Sequence, residues 1–122
     1  MKAKYGNVKT EVDGRIFDSK REAIVYKSLR ILENAGMITD LKCQVPFELL
    51  PAQYESIQIQ GKRKMLTKKK CVEKSLVYNA DFTYLENDQL VVCDVKGKLT
   101  VEYRIKRKLM LHFHKIKIKE VK

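Results

Sequence analysis

Residues 77–97 read VYNADFTYLENDQLVVCDVKG, a stretch that carries four carboxylates and, before Lys96, no lysine or arginine. β-branched and aromatic residues fill both halves, and the turn formers Asn87 and Asp88 stand between them. The stretch therefore predicts two antiparallel strands, over 76–85 and 89–96, closed by a tight turn. Side chains alternate faces along a strand. In the second strand Leu90, Val92, Asp94 and Lys96 share one face, with Val91, Cys93 and Val95 on the other. In the first, Asp81 shares a face with Val77, Asn79 and Thr83, opposite Leu76, Tyr78, Ala80, Phe82 and Tyr84. A hairpin of these strands brings Asp81 beside Asp94, and Gly97 just beyond lets a backbone or ligand approach closely.

Two adjacent carboxylates repel unless a cation intervenes. With a backbone carbonyl such as that of Val95 and several waters, they suit Mg²⁺, a hard ion that keeps octahedral oxygen geometry. Lys96 would then orient or deprotonate an attacking water, or neutralise charge on a phosphorane-like transition state. The same D-x-K string also reads as an Asp–Lys ion pair at a sheet edge, and spacing alone leaves both readings open.

The rest of the chain sets this acidic island between two basic blocks. Of 122 residues, 26 are Lys or Arg against 15 Asp or Glu, a formal net charge of +11. Residues 61–74 hold 7 basic and 1 acidic group and residues 96–122 hold 10 and 2, whereas residues 75–95 hold 4 acidic groups and no basic one. Such a layout suits a polyanion held on both sides of a cation-binding pocket; a solvated basic surface is the plainer reading. The length predicts one domain, 1–122. No apolar run approaches a membrane span, and the opening MKAKYGNVKTEVDG lacks the apolar core of a secretory signal. Three widely spaced cysteines without a CxxC pair support neither a disulfide framework nor a zinc knuckle, so a reducing cytoplasm is expected.

Asp13-Gly14 predicts a small hairpin within an N-terminal arm, residues 1–18. A helix follows in SKREAIVYKSLRILENAG, capped by Ser19, stopped by Gly36, with an expected inward stripe of Val25, Leu29 and Leu32. Leu41, Cys43, Val45, Phe47 and Leu49 alternate with polar residues as in a half-buried strand, which Pro46 places at an edge or bulge. SIQIQ extends a hairpin, and residues 61–74 read as a mobile basic loop. A second helix, capped by Thr100, is expected to turn Val101, Ile105 and Leu109 inward and Arg104, Lys106, Arg107 and Lys108 outward, before a last strand in KIKIKEV. The fold class is α/β: a central mixed sheet flanked by two helices, in the order α-β-β-β-α-β.

Glu22 falls on the buried side of the first helix, where an unpaired carboxylate is costly. Ser19-Lys20-Arg21-Glu22 also fits a capping box, which accounts for the same glutamate. Cap and ligand both stay open.

The order KYGNVKTEVDGRIFDSKREAIVY, LKCQVPFELLP, YNADFTY, VVCDVKG and a basic helix resembles a family of small phage and prophage proteins of formerly unknown function, assigned to the PD-(D/E)XK nuclease-like superfamily. The resemblance spans nearly the whole chain. It implies a nuclease core in which Glu22, Asp81, Asp94 and Lys96 form one Mg²⁺-dependent site, with Mn²⁺ able to substitute. Asn79 to Asp81 read N-A-D where the superfamily label has P-D. Phage Holliday-junction resolvases share the superfamily and the helix-first order, which makes branched DNA a substrate by analogy.

The expectation is a Mg²⁺-dependent endodeoxyribonuclease in the cytoplasm of a bacterial host, serving phage replication, recombination or packaging. A non-catalytic DNA-binding accessory protein with the same fold is the rival, and a nuclease acting on RNA is a third reading. The DNA contacts expected are Lys62, Arg63, Lys64, Lys68, Lys69 and Lys70 in the basic segment, then Lys98, Tyr103, Lys106 and Arg107. Tyr103 and Lys106, one helical turn apart, would brace a phosphate or simply line an amphipathic face. A homodimer is expected if both strands are to be cut. Gln44 reads as solvated strand surface that could approach the site, His112 and His114 as histidines without metal partners, and Cys71, among lysines, as a thiolate-prone position.

Overall fold

The computed structural model describes residues 8–122, so residues 1–7 of the expected arm lie outside the described residues. The rest of the arm is a hairpin of β1, Thr10–Val12, and β2, Arg15–Phe17, turning on Asp13 and Gly14 with φ of 52° and 76°. Two left-handed residues in a row are what a type I′ turn requires.

Helix α1, Lys20–Asn34, starts at Ser19, whose hydroxyl accepts the Glu22 N–H at 3.1 Å. It stops at Gly36, with φ of 78°. The Gly36 N–H reaches Glu33 O at 3.0 Å and the Met37 N–H reaches Leu32 O at 2.9 Å, the paired bonds of a Schellman motif. The expected stripe holds at Leu29, which is buried, and at half-buried Val25, and is corrected at Leu32, which is 39% exposed; Ala23 and Tyr26 are the other buried positions. Aromatic packing decides the rotation, because the Tyr26 ring lies 5.0 Å from Phe17 and 6.3 Å from Phe82. Each such ring contributes about 1.5–3 kcal/mol when fully buried.

Strands β3 (Thr39–Leu50), β6 (Leu76–Glu86), β7 (Gln89–Val95) and β8 (Lys119–Val121) form the central sheet in that order, β7 and β8 parallel and the other neighbours antiparallel. This is the expected mixed sheet with two helices, and β3, with Pro46, is an edge strand. Asn87 and Asp88, at φ of 52° and 61°, make the tight β6–β7 turn. The segment read as a mobile loop is corrected: it is β5, Met65–Glu73, paired antiparallel with β4, Gln53–Gln60, in a separate two-stranded ribbon. Neither face of β5 is buried, so no hydrophobic alternation marks it in the sequence.

Helix α2, Val101–Leu109, is capped by Thr100, whose hydroxyl accepts the Tyr103 N–H at 3.1 Å, and it runs on into a π-helical turn, Met110–His114. Its inward face is also corrected. Tyr103 and Met110 are buried and Leu109 half-buried, whereas Val101 and Ile105 are 73% and 52% exposed. Arg107 ties the helix to β8 through both oxygens of Glu120, at 3.1 and 3.2 Å, and this fixes the rotation. His114 meets the carbonyl of Glu48 at 2.6 Å.

Two cores result. Phe17, Ala23, Tyr26, Leu29, Ile38, Phe82, Tyr84, Cys93 and Val95 pack with α1; Leu49, Tyr78, Ala80, Val92, Tyr103, Met110 and Ile118 pack with α2. Strand β6 thus supplies Phe82 to one core and Ala80 to the other, so its simple alternation is interrupted at Asp81. The opposite strand bends at the same level, where Gln44 takes a φ of 52°. No helix among the described residues is long and apolar enough to cross a membrane.

Candidate functional site

The β6–β7 register pairs Phe82 with Cys93 and Thr83 with Val92. The ladder ends at the Phe82–Cys93 pair, and just beyond it the Asp81 side chain lies against the Asp94–Val95 segment. The Asp81 carboxylate accepts the Val95 N–H at 2.9 Å on Oδ2. Asp94 is 1% exposed. A carboxylate so deeply placed needs partners, and it has them: the Tyr78 hydroxyl donates to its Oδ2 at 2.8 Å, and Lys96 Nζ stands 3.3 Å from the same oxygen. The Lys96 ammonium also lies 4.4 Å above the centre of the Tyr103 ring, where the π-face attracts a cation. The Asp94–Lys96 ion pair left open by the spacing is therefore present, at the inner edge of a carboxylate pair.

Burial raises the Asp81 carboxyl well above its ordinary range; the adjoining Asp94 and the charge of Glu22 add to this, while the Val95 N–H opposes it. Glu22 arrives from the first turn of α1. Its pKa too is raised, first by burial, then by Asp18 and Asp94, with Lys96 pulling the other way. The three carboxylates and the lysine thus act on one another. The Ser19 half of the capping box is made with the Glu22 backbone, which leaves that role independent of the nature of the side chain.

Neighbours that sequence reasoning gave little weight complete the surroundings. Gln44 sits opposite Asp81 and points its Nε2 at Asp81 Oδ1, 3.4 Å away. A non-glycine residue at positive φ in a strand is uncommon and costs about 1–2 kcal/mol, so the bend there is imposed by its surroundings. Tyr78, assigned by alternation to the face away from Asp81, reaches Asp94 because β6 changes cores. Arg21 lies against Gly97: a Cβ at Gly97 would come 3.3 Å from its Nη1, so it is an arginine side chain that uses the space.

Two clefts open beside the carboxylates. One, of about 290 Å³, is lined by Arg15, Ile16, Phe17, Asp18, Glu22, Cys43 and Gln44; the other, of about 260 Å³, by Tyr78, Asn79, Lys96, Thr100, Glu102, Tyr103 and Lys106. Tyr103 lines its cleft with a buried ring whose hydroxyl makes no hydrogen bond of ordinary geometry, near Glu120. Lys106 pairs with Glu102 at 3.1 Å, and Arg107 is engaged by Glu120. Lys98 is exposed just after Gly97. Lys62, Arg63, Lys64, Lys68, Lys69 and Lys70 are exposed on the β4–β5 ribbon; none lines either cleft, and among the described residues none forms an ion pair.

The donor set of Asp81, Asp94 and Glu22 is all oxygen, the chemistry a hard divalent cation takes. Its spacing is not yet that of a metal cage: among the described residues, no three His, Cys, Asp or Glu side chains converge as a group that could hold an ion. Asp81 instead accepts from the Val95 N–H, and Asp94 is engaged by Tyr78 and Lys96.

Fold and site together define a mixed α/β protein whose central sheet ends in an acidic pair, Asp94 buried and Asp81 half-buried, flanked by a helical glutamate and a lysine. The chain belongs to the family described as protein of unknown function (DUF1064), whose model matches residues 2–122. No curated protein and no solved structure shows significant similarity to it.

Proposed function

We propose that this protein is a metal-dependent endodeoxyribonuclease with a PD-(D/E)XK nuclease-like core. The observation that carries the reading is the register that sets Asp81 against Asp94, with Lys96 two residues on and Glu22 acting on the same pair from α1. A binding protein has no evident need for three carboxylates within a surface built to attract phosphate.

Asp81, Asp94, Glu22 and the Val95 carbonyl would hold Mg²⁺ or Mn²⁺, which when bound supplies Lewis acidity and lowers the pKa of water. The chain's own part follows from its geometry. Loss of the proton that burial favours on Asp81 would free oxygen for a cation, and the Tyr78 hydroxyl holds the Asp94 carboxylate in place. Lys96, between Asp94 and the cleft shared with Lys106, is suited to hold the attacking water or to meet charge growing on the phosphate. The engagement of Asp94 by Tyr78 and Lys96 favours a second reading, a DNA-binding accessory protein that retains the fold and binds no metal.

A cleavage assay with Mg²⁺ or Mn²⁺ on four-way junction, flap, linear and single-stranded DNA separates the two. Asp81→Asn, Asp94→Asn and Lys96→Ala should each reduce cleavage by roughly 10²–10³-fold, the equivalent of several kcal/mol of charge stabilisation. The two asparagine variants should bind DNA as well as the wild type or better, since less negative charge faces the phosphates. A wild type that binds DNA tightly and cuts no form of it with either ion would leave the accessory-protein reading.

A further inference from the structure

The geometry points to the β4–β5 ribbon as an arm that lies in a groove of double-helical nucleic acid. Its strands pair from Gln53 opposite Glu73 to Gln60 opposite Met65, closed by the Gly61 N–H on Lys64 O at 2.9 Å. Apart from each other, β4 and β5 pack substantially against no other element among the described residues. A two-stranded ribbon exposed on both faces is marginal in water by itself, so this one is built for contact with something outside the chain.

Charge names the class of partner. Residues 53–74 hold seven basic side chains and two acidic ones, Glu55 and Glu73. Glu55 stands opposite Lys70 in the register, yet the two make no ion pair. A second copy of the chain would bring the same positive charge and be repelled. A polyanion would be attracted.

Shape favours a duplex over a single strand. Single-strand binders stack bases on aromatic side chains, and Tyr54 is the one aromatic residue between 53 and 74. The register centres one face of the ribbon on Ser56, Gln58, Thr67 and Lys69, between Tyr54 and Cys71 at one end and Gln60 and Met65 at the other, with Gln58 Nε2 donating to Thr67 Oγ1 at 3.0 Å across the strands. Such a row of donors and acceptors matches base edges in a major groove, which admits a two-stranded ribbon. Lys68 and Lys70, on the opposite face, have the reach for the phosphate walls. Eight residues of strand span about 27 Å, the rise of about eight base pairs. Only the class of partner here rests on the function proposed above; the ribbon's role does not depend on cleavage.

The test is fluorescence anisotropy of the full-length protein with a short duplex and with a single strand of equal length, across a salt series. Replacing Lys68, Lys69 and Lys70 by alanine should make the slope of log K against log[salt] on duplex shallower by about 1.8, at about 0.9 for each of the two phosphates that Lys68 and Lys70 no longer neutralise. All three are exposed on the ribbon, so the fold should survive, which a thermal melt verifies. An unchanged slope on duplex overturns the inference, as does tighter binding to single strands than to duplex. A change in sedimentation that reports weaker self-association, with duplex affinity intact, overturns it in favour of an interface between copies. A wild type that grips duplex through these lysines but cuts nothing sinks the nuclease proposal and leaves the ribbon standing; cleavage with the slope intact in the triple variant does the reverse.

Discussion

Replacing Asp94 by asparagine removes one of two carboxylates that lie against each other at the end of the β6–β7 hairpin, and in chelated protein its largest effect falls on the other. Asp81 has an ordinary pKa of 3.8 that the fold raises, through burial first and then through the adjoining Asp94. Between the ordinary and the raised value, the folded state keeps a proton that the unfolded chain has released. The stability this contributes is complete below the unfolded pKa and is lost as pH rises through the folded one, at about 1.4 kcal/mol per pH unit in between. With a urea m-value of about 1–3 kcal/mol/M, each pH unit lowers the midpoint by about 0.5–1.4 M. Asp94→Asn takes away the charge of Asp94 and leaves burial, so Asp81 titrates lower and the window narrows. Glu22, raised in part by Asp94, moves the same way. Urea denaturation in EDTA from about pH 5 to about pH 8 should therefore show the variant gaining on the wild type as pH rises. Taking the difference between the two proteins cancels the pH trend of a chain with net charge +11. A difference that stays constant, or grows in favour of the wild type, would refute the coupling of Asp81 to Asp94.

Glu22→Gln keeps the helix cap, because Ser19 accepts from the backbone of residue 22 and not from its side chain. Stability should change by no more than about 0.5 kcal/mol, while divalent-dependent cleavage falls by roughly 10²-fold; a destabilisation above about 1 kcal/mol with activity retained would return the residue to a capping role. Alkylation of folded protein followed by peptide mapping should label Cys71 first, since it is exposed, whereas burial raises the Cys43 thiol and pushes that of Cys93 up to about 11. Equal labelling of all three would contradict the packing of β3 and β7.

Short-range chemistry made much of this protein legible without coordinates. Asp13-Gly14 and Asn87-Asp88 tolerate positive φ, Ser19 offers a cap, Gly36 accepts the left-handed stop, and the 41–49 alternation survives as a half-buried edge strand. The meeting of Asp81 and Asp94 followed from the same local rules, since a two-residue turn fixes a hairpin's register and period two fixes its faces. What tertiary structure alone decided is which surfaces those elements bury. Helix α1 carries apolar residues on several sides, Ile24 and Ile31 among them, and only the rings of Phe17 and Phe82 select Tyr26 over Leu32. Helix α2 likewise turns Tyr103 inward and leaves Val101 and Ile105 in solvent because Lys96 and Glu120, distant in sequence, hold that face. The change of core along β6, the left-handed Gln44 and the reach of Tyr78 to Asp94 all arise where two cores compete for one strand, and no window of sequence records that competition. The ribbon is the opposite case: with neither face buried, β5 had no pattern to show, and only pairing with β4 gave it a strand's shape.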